Sequence, residues 1–138
     1  MTVPELFLPD DVRNETLRQL YDQAELETRI DGDGDLVVTR GVTCYAIPSP
    51  ERARIMLLTF VGVKEGITRA EKLEFTNRVN NEIAAVRAHV NRKENVVFDS
   101  HIPIDGGVTG TAITAATKFF LIAIAHAIDL CDEDDIVR

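Results

Sequence analysis

Apolar residues recur along this chain at two different spacings. From Thr109 to Cys131 they are dense enough for a buried helix, and Phe119 to Ala125 is an unbroken apolar run. Helical spacing puts Ile113, Ala116, Phe120, Ile124 and Ala127 on one face. Ala112, Ala115, Phe119, Ile122 and Leu130 form a neighbouring face. A polar stripe of Thr114, Lys118, Asp129 and Asp132 is broken in its middle by Leu121 and Ala125. A helix apolar around most of its circumference packs against more than one neighbour. Lys118, His126 and Asp129 interrupt a stretch that would need about 20 apolar residues to cross a bilayer. The helix is therefore expected at the packing centre of a soluble domain, with no membrane insertion.

Elsewhere the period is two. Leu26, Thr28 and Ile30 alternate with charged residues, Leu36 to Thr39 is a strand, and Val42 to Ile47 returns until Pro48-Ser49-Pro50 stops it. Ala53 to Val63 is apolar on both faces and is expected to be a central strand. Between the first two strands, Asp31-Gly32-Asp33-Gly34-Asp35 reads as a hairpin turn, because Gly and Asp tolerate positive φ. It does not read as a calcium loop, which needs Gly at its sixth position and Glu at its twelfth; Leu36 and Val42 stand there. Pro9-Asp10-Asp11 signals a first helix that carries Val12, Leu17, Leu20, Tyr21 and Ala24. Thr68-Arg69-Ala70-Glu71 is a capping box for a second helix reaching about Glu82, with Ala70, Leu73, Val79 and Ile83 as its inner face. Val86, Ala88 and Val90 then alternate with polar residues, as do Phe98, Ser100 and Ile102, across a turn at Arg92–Asn95. The order is α-β-β-β-β-α-β-β-α. It implies an α+β fold, an antiparallel sheet packed against helices.

Length sets this out as a single domain over residues 1–138. Residues 1–9 are an N-terminal extension whose Leu6-Phe7-Leu8 packs on the domain, and residues 132–138 are an acidic tail expected to fray. The net charge is −8, and no basic patch is available to displace counterions, so nucleic acid is not an expected partner. Cys44 and Cys131 form neither a CxxC nor a metal spacing, which fits reduced structural thiols in a cytoplasmic protein. The N-terminus has neither the charged start nor the long apolar run of a secretory signal.

The chemistry on offer is sparse. If Val86 pairs with Ile102 and Val90 with Phe98, then His89 faces Asp99 and Arg87 faces His101, all four on one sheet face. Such a face would serve an acid–base cluster or a weak metal site, but no nucleophile stands near in sequence. Cross-strand charge pairing on a solvated sheet face is the favoured reading. His126 reads as a packing histidine, Asn77, Asn80 and Asn81 as residues satisfying backbone groups at a helix end, and Gly106-Gly107 as a connector. No catalytic, cofactor-binding or metal-binding residue is assigned.

With Asp31–Asp35 before a strand, Asn77-Arg78-Val79-Asn80-Asn81 ending the middle helix and Gly106-Gly107-Val108-Thr109 opening the last, the chain resembles the YbjN family of bacterial sensory-transduction regulators over roughly residues 12–131. The resemblance implies a fold like that of the class I type III secretion chaperones, usually homodimeric, and a binding or regulatory role without catalytic residues. The reading is thus a non-enzymatic, chaperone-like homodimer that holds a segment of an unidentified protein partner. Leu121, Ala125 and Ile128 are its candidate partner-binding residues. A small-molecule-responsive regulator, with a ligand between sheet and helices, is the alternative. An enzyme using the Arg87–His89–Asp99–His101 face comes third.

Overall fold

The computed structural model describes residues 2–138. A short strand β1 (Leu6–Phe7) and a 3-10 turn at Pro9–Asp11 lead into helix α1 (Asn14–Gln23). A meander follows: β2 (Glu27–Ile30), β3 (Leu36–Arg40), β4 (Val42–Ser49) and β5 (Arg54–Val61). Helix α2 (Arg69–Glu82) precedes the hairpin β6 (Arg87–Val90) and β7 (Val96–Pro103), and a short β8 (Val108–Thr109) runs into helix α3 (Gly110–Cys131). The six-stranded sheet has the order β2-β3-β4-β5-β7-β6 and is antiparallel throughout. The architecture is α+β, and its long elements follow the expected order. The additions are β1 and β8, which pair with each other.

Alternation decides which side of each strand is core. Leu36 and Val38, Cys44 and Ala46, Ile55 and Leu57, and Val96 and Phe98 all join one buried cluster. The same cluster takes Leu17, Leu20 and Tyr21 from α1, Phe75 and Val79 from α2, and Ile113, Phe120 and Ile124 from α3. All three helices therefore cover one face of the sheet. Phe75 stacks on Phe98 with ring centroids 6.0 Å apart. Tyr21 is fully buried, with its hydroxyl 2.9 Å from that of Thr117 of α3; burial pushes the phenol well above its usual range. Gly110 lets α3 start close to α1, since a Cβ there would stand 2.8 Å from Leu20 Cδ1.

Four local expectations are corrected. Pro9–Asp11 forms a 3-10 turn, and α1 begins later, where the Thr16 hydroxyl accepts from the Arg13 N–H at 3.2 Å. The inner face of α2 is Phe75, Thr76 and Val79, continued by Ile83; Ala70 and Leu73 are exposed, because the phase is set by the largest apolar group, Phe75. The β6–β7 register is two residues from the expected one: Arg87 faces Asp99 and Val90 faces Val96. The turn sets it, since Asn91 Oδ1 accepts from the N–H groups of Lys93 and Asn95 at 3.0 and 2.9 Å. Asp31 closes the β2–β3 turn in the same way onto Asp33 and Asp35. Finally, the acidic tail is pinned rather than frayed. Ile136 is fully buried, Asp132 accepts from the N–H groups of Ile136 and Val137, and the Lys64 N–H donates to the Ile136 carbonyl at 2.8 Å. Arg78 of α2 also holds the tail, donating to the Cys131 carbonyl at 2.9 Å and pairing with Asp134 at 3.1 Å.

Candidate protein-binding surfaces

With helices α1, α2 and α3 on one side, no layer of the described residues covers the other face of the sheet. Alternation sends to it Tyr45 and Ile47 of β4, Met56, Leu58 and Phe60 of β5, and Val97 of β7. The register lines these side chains up across adjacent strands, Tyr45 beside Leu58, Ile47 beside Met56 and Phe60 beside Val97. Tyr45 and Phe60 meet edge to face with centroids 6.5 Å apart. Phe60 is 51% exposed, and Tyr45, Ile47, Met56 and Leu58 are half-buried. This is an apolar strip across the middle of an open sheet.

The four polar residues singled out from sequence lie on this same outer face, at its β6 side. Arg87 and Asp99 are directly opposite each other and form a two-pronged ion pair, Nε to Oδ1 at 2.9 Å and Nη2 to Oδ2 at 2.6 Å. Asp99 is 2% exposed, whereas the Arg87 side chain is two-thirds exposed. The pair thus consists of a hidden carboxylate under a solvated guanidinium, whose own proton affinity is raised by its hydrogen bonds to Asp99. His89 Nδ1 lies 4.0 Å from Asp99 Oδ2, too far for a hydrogen bond, and has no partner. His101 lies beyond the end of β6, faces Met56 of β5 and is exposed. Ser100, the hydroxyl nearest in sequence, pairs with Leu57 and points to the opposite face. The structure therefore joins Arg87, Asp99 and, more loosely, His89; His101 has no strand partner on β6 but lines the same open depression as Arg87 and Asp99. Among the described residues no three His, Cys, Asp or Glu side chains gather to hold a metal ion.

The free edge of β6 is guarded. Asn80 of α2 accepts from the Ala88 N–H at 2.8 Å and donates to the Ala88 carbonyl at 2.9 Å, taking the place of a neighbouring strand. An edge closed in this way resists pairing with another chain.

On α3 the candidate residues scatter. Leu121 is 2% exposed and packed in the core, Ile128 is half-buried, and Ala125 is exposed. Leu121 cannot meet a partner while this packing holds. The large apolar groups that reach solvent from α3 are Phe119 at 52%, Ile122 at 67% and Leu130 at 49%. All three were on the neighbouring apolar face visible in the sequence, and what removes Leu121 from the surface is its contact with the domain core. His126 is exposed beside Phe119 and Ile122, in an open groove with Glu82, Ile83 and Ala84.

The chain is thus a two-layer α+β domain with helices on one face of an antiparallel sheet and an apolar strip on the other. The chain belongs to the YbjN family, described as "Putative bacterial sensory transduction regulator", which it matches over residues 13–133. No curated protein matches it in sequence. Among solved structures it is similar to YbjN of E. coli, described as a putative transcription regulator, at 12% identity and a TM-score of 0.73, covering 92% of this chain and 98% of that one. It is also similar to an uncharacterized protein of Methanothermobacter thermautotrophicus (15% identity, TM-score 0.61, 88% and 98% covered). A third likeness is to the Yersinia pestis type III secretion chaperone SycH, solved with a fragment of YscM2 (14% identity, TM-score 0.52, 86% and 99% covered). At these identities the likeness is one of fold.

Proposed function

We propose that this chain is a cytoplasmic, homodimeric, non-enzymatic regulatory protein that works in the manner of a chaperone, holding a segment of a partner protein on the outer face of its sheet. The observation that carries this reading is the bare apolar strip of Tyr45, Ile47, Met56, Leu58 and Phe60, aligned across β4 and β5. Contiguous exposed apolar surface rimmed by polar residues is a mark of protein-interaction sites. An extended or amphipathic segment laid across it would bury alternate side chains against the strip. The fold shared with SycH, whose structure contains a fragment of another protein, supports the same mode of use. The alternative of a ligand between sheet and helices is disfavoured by what fills that space: Tyr21, Phe75, Phe98 and Phe120 are all at most 1% exposed there.

The test is photo-crosslinking in the native cell from a residue placed at Leu58, followed by mass spectrometry. One protein crosslinked through one segment is the expected result, with the product lost in a chain that also carries Phe60→Ser and Tyr45→Ser. A product that survives those two changes, or crosslinks spread over many proteins, would sink the reading.

A further inference from the structure

Helix α3 carries a seam on its exposed side. Ala112, Ala115, Phe119, Ile122, His126 and Leu130 recur at intervals of three and four residues, and every one of them is exposed. That interval keeps a stripe in line along a helix and is the spacing with which one helix packs along another. Within its own domain α3 has already turned its other faces to α1, α2 and the sheet, with Ile113, Phe120 and Ile124 buried there. The seam is therefore a second packing surface with nothing against it.

The order of sizes along the seam identifies the occupant. Its N-terminal end is small, Ala112 and Ala115, and its C-terminal end is large, His126 and Leu130, with Phe119 and Ile122 between. Laid antiparallel on a copy of itself, the stripe sets its alanine end against its larger end, with Phe119 and Ile122 side by side at the centre. Ala115 faces His126, Phe119 faces Ile122, and Ala112 faces the Asp129–Leu130 turn of the helix. Laid parallel, alanine would face alanine at one end and Phe119 would face Phe119, leaving a void beside a clash, which close packing does not tolerate. The antiparallel arrangement is also the one that a two-fold axis perpendicular to the helices generates.

We infer that the homodimer of the preceding section forms by antiparallel pairing of α3 with α3 of a second copy, centred between Phe119 and Ile122; the inference rests on that self-association. The seam is about 27 Å long at 1.5 Å per residue, and α1 and α2 flank it at helix-packing distance. The helical layer thus offers a face on the order of 800 Å², the size that one side of a stable dimer needs. The grooves on either side of α3, one lined by Leu20, Ala24 and Ala115 and the other by Ile83, Ala84 and Phe119, continue the apolar surface outward. The outer sheet face lies on the opposite side of the domain, so dimerisation leaves the apolar strip open.

Sedimentation of the full chain at micromolar concentration tests this, with circular dichroism as the control for folding. The wild type is expected to be a dimer, and Ile122→Asp to raise the dimer dissociation constant by at least about 30-fold, the effect of losing a central contact residue. If Ile122→Asp lowers the helix content, Ala115→Arg carries the same test, since Arg suits an exposed helical position. Orientation is read by mixing two chains, Ala115→Cys and His126→Cys, under mild oxidation. The native Cys44 and Cys131, each 1% exposed, remain out of reach. A disulfide-linked heterodimer that forms only in the mixture is the expected product; self-linking of Ala115→Cys alone overturns the antiparallel seam. A wild-type dimer that Ile122→Asp leaves intact overturns the seam and keeps self-association. A monomeric wild type overturns both, while the sheet-face crosslink still stands or falls by itself.

Discussion

Phe98 and Asp99 are neighbours in β7, point to opposite sides of the sheet and are both hidden from water, at 0% and 2% exposure. The means differ. Phe98 lies under a second layer, stacked on Phe75 of α2. Asp99 lies under nothing but its own sheet neighbours, with Leu58 on one strand beside it and Arg87 on the other. The inner face of the sheet is closed by helices. The outer face has no second layer: Val37, Val97 and Asp99 are hidden among their sheet neighbours, while Phe60 is exposed and Tyr45, Ile47, Met56 and Leu58 are half-buried. Stability is thus concentrated on one side of the sheet, and room for a partner on the other.

The sharpest break of this contrast is Phe98→Ala. It empties a large volume between two rigid layers, and truncation of a buried Phe costs about 3–5 kcal/mol. The check is the urea midpoint, with the slope unchanged. A loss below about 1 kcal/mol would mean that the layer closes over the gap and that the inner face is not the closed one described.

Arg87→Ala attacks the outer face in the corresponding place. It strips the hidden carboxylate of both its hydrogen bonds, which costs about 1–3 kcal/mol for a buried acceptor left without a partner. The effect stays below that at Phe98, because the guanidinium is solvent-exposed and the site opens to water once it is gone. Arg87→Lys recovers only part of the loss, since an ammonium cannot make the two-pronged contact. Equal stability of the Ala and Lys variants would show that the paired geometry contributes nothing.

The contrast was half legible in the sequence. Period-two alternation separates the two sets of side chains in residues 98–102, whereas residues 53–63, apolar on both faces, mark a central strand without dividing them. It cannot say which set the helices will cover, because the outer strip of Tyr45, Ile47, Met56 and Leu58 is as apolar as many inner ones. The four polar residues of the candidate site were found, but their pairing was not. A shift of two residues preserves every inward and outward assignment, so alternation is blind to it. The hydrogen bonds of Asn91 decide it, and the parallel with Asp31 was the available signal. Leu121 was misplaced because α3 is apolar on several faces, and only three-dimensional packing chooses among them. The tail was misread because its buried residue, Ile136, follows four acidic residues, and the groups that hold the tail, the Lys64 N–H and the Arg78 guanidinium, lie far away in sequence.

The smallest effect belongs to the closed side. Cys44 points inward from β4, and burial pushes its thiol up to about 12, against 9.0 when free. The folded protein therefore keeps this thiol neutral at pH values where the unfolded chain ionises it. A group whose folded pKa is raised contributes its full stability below the unfolded pKa and loses it as pH rises toward the folded one. Stability should begin to fall as the pH nears 9 and be down by roughly 1.4 kcal/mol at pH 10 relative to neutral pH, the slope approaching about 1.4 kcal/mol per unit once the unfolded thiol is ionised. Tyr21, raised by the same burial, adds to the slope only at higher pH because its free value is 10.0. The measurement is urea unfolding from pH 7 to 10.5, repeated with Cys44→Ala, which should reduce the part of the slope that starts near pH 9, the remainder coming from Cys131, whose thiol burial also raises. Thiol-reactive dye at pH 8 gives an independent reading. Cys44 should react only at the rate of unfolding. Rapid labelling of the native protein there would mean that the inner face is open to solvent and that the contrast between the two faces of the sheet does not hold.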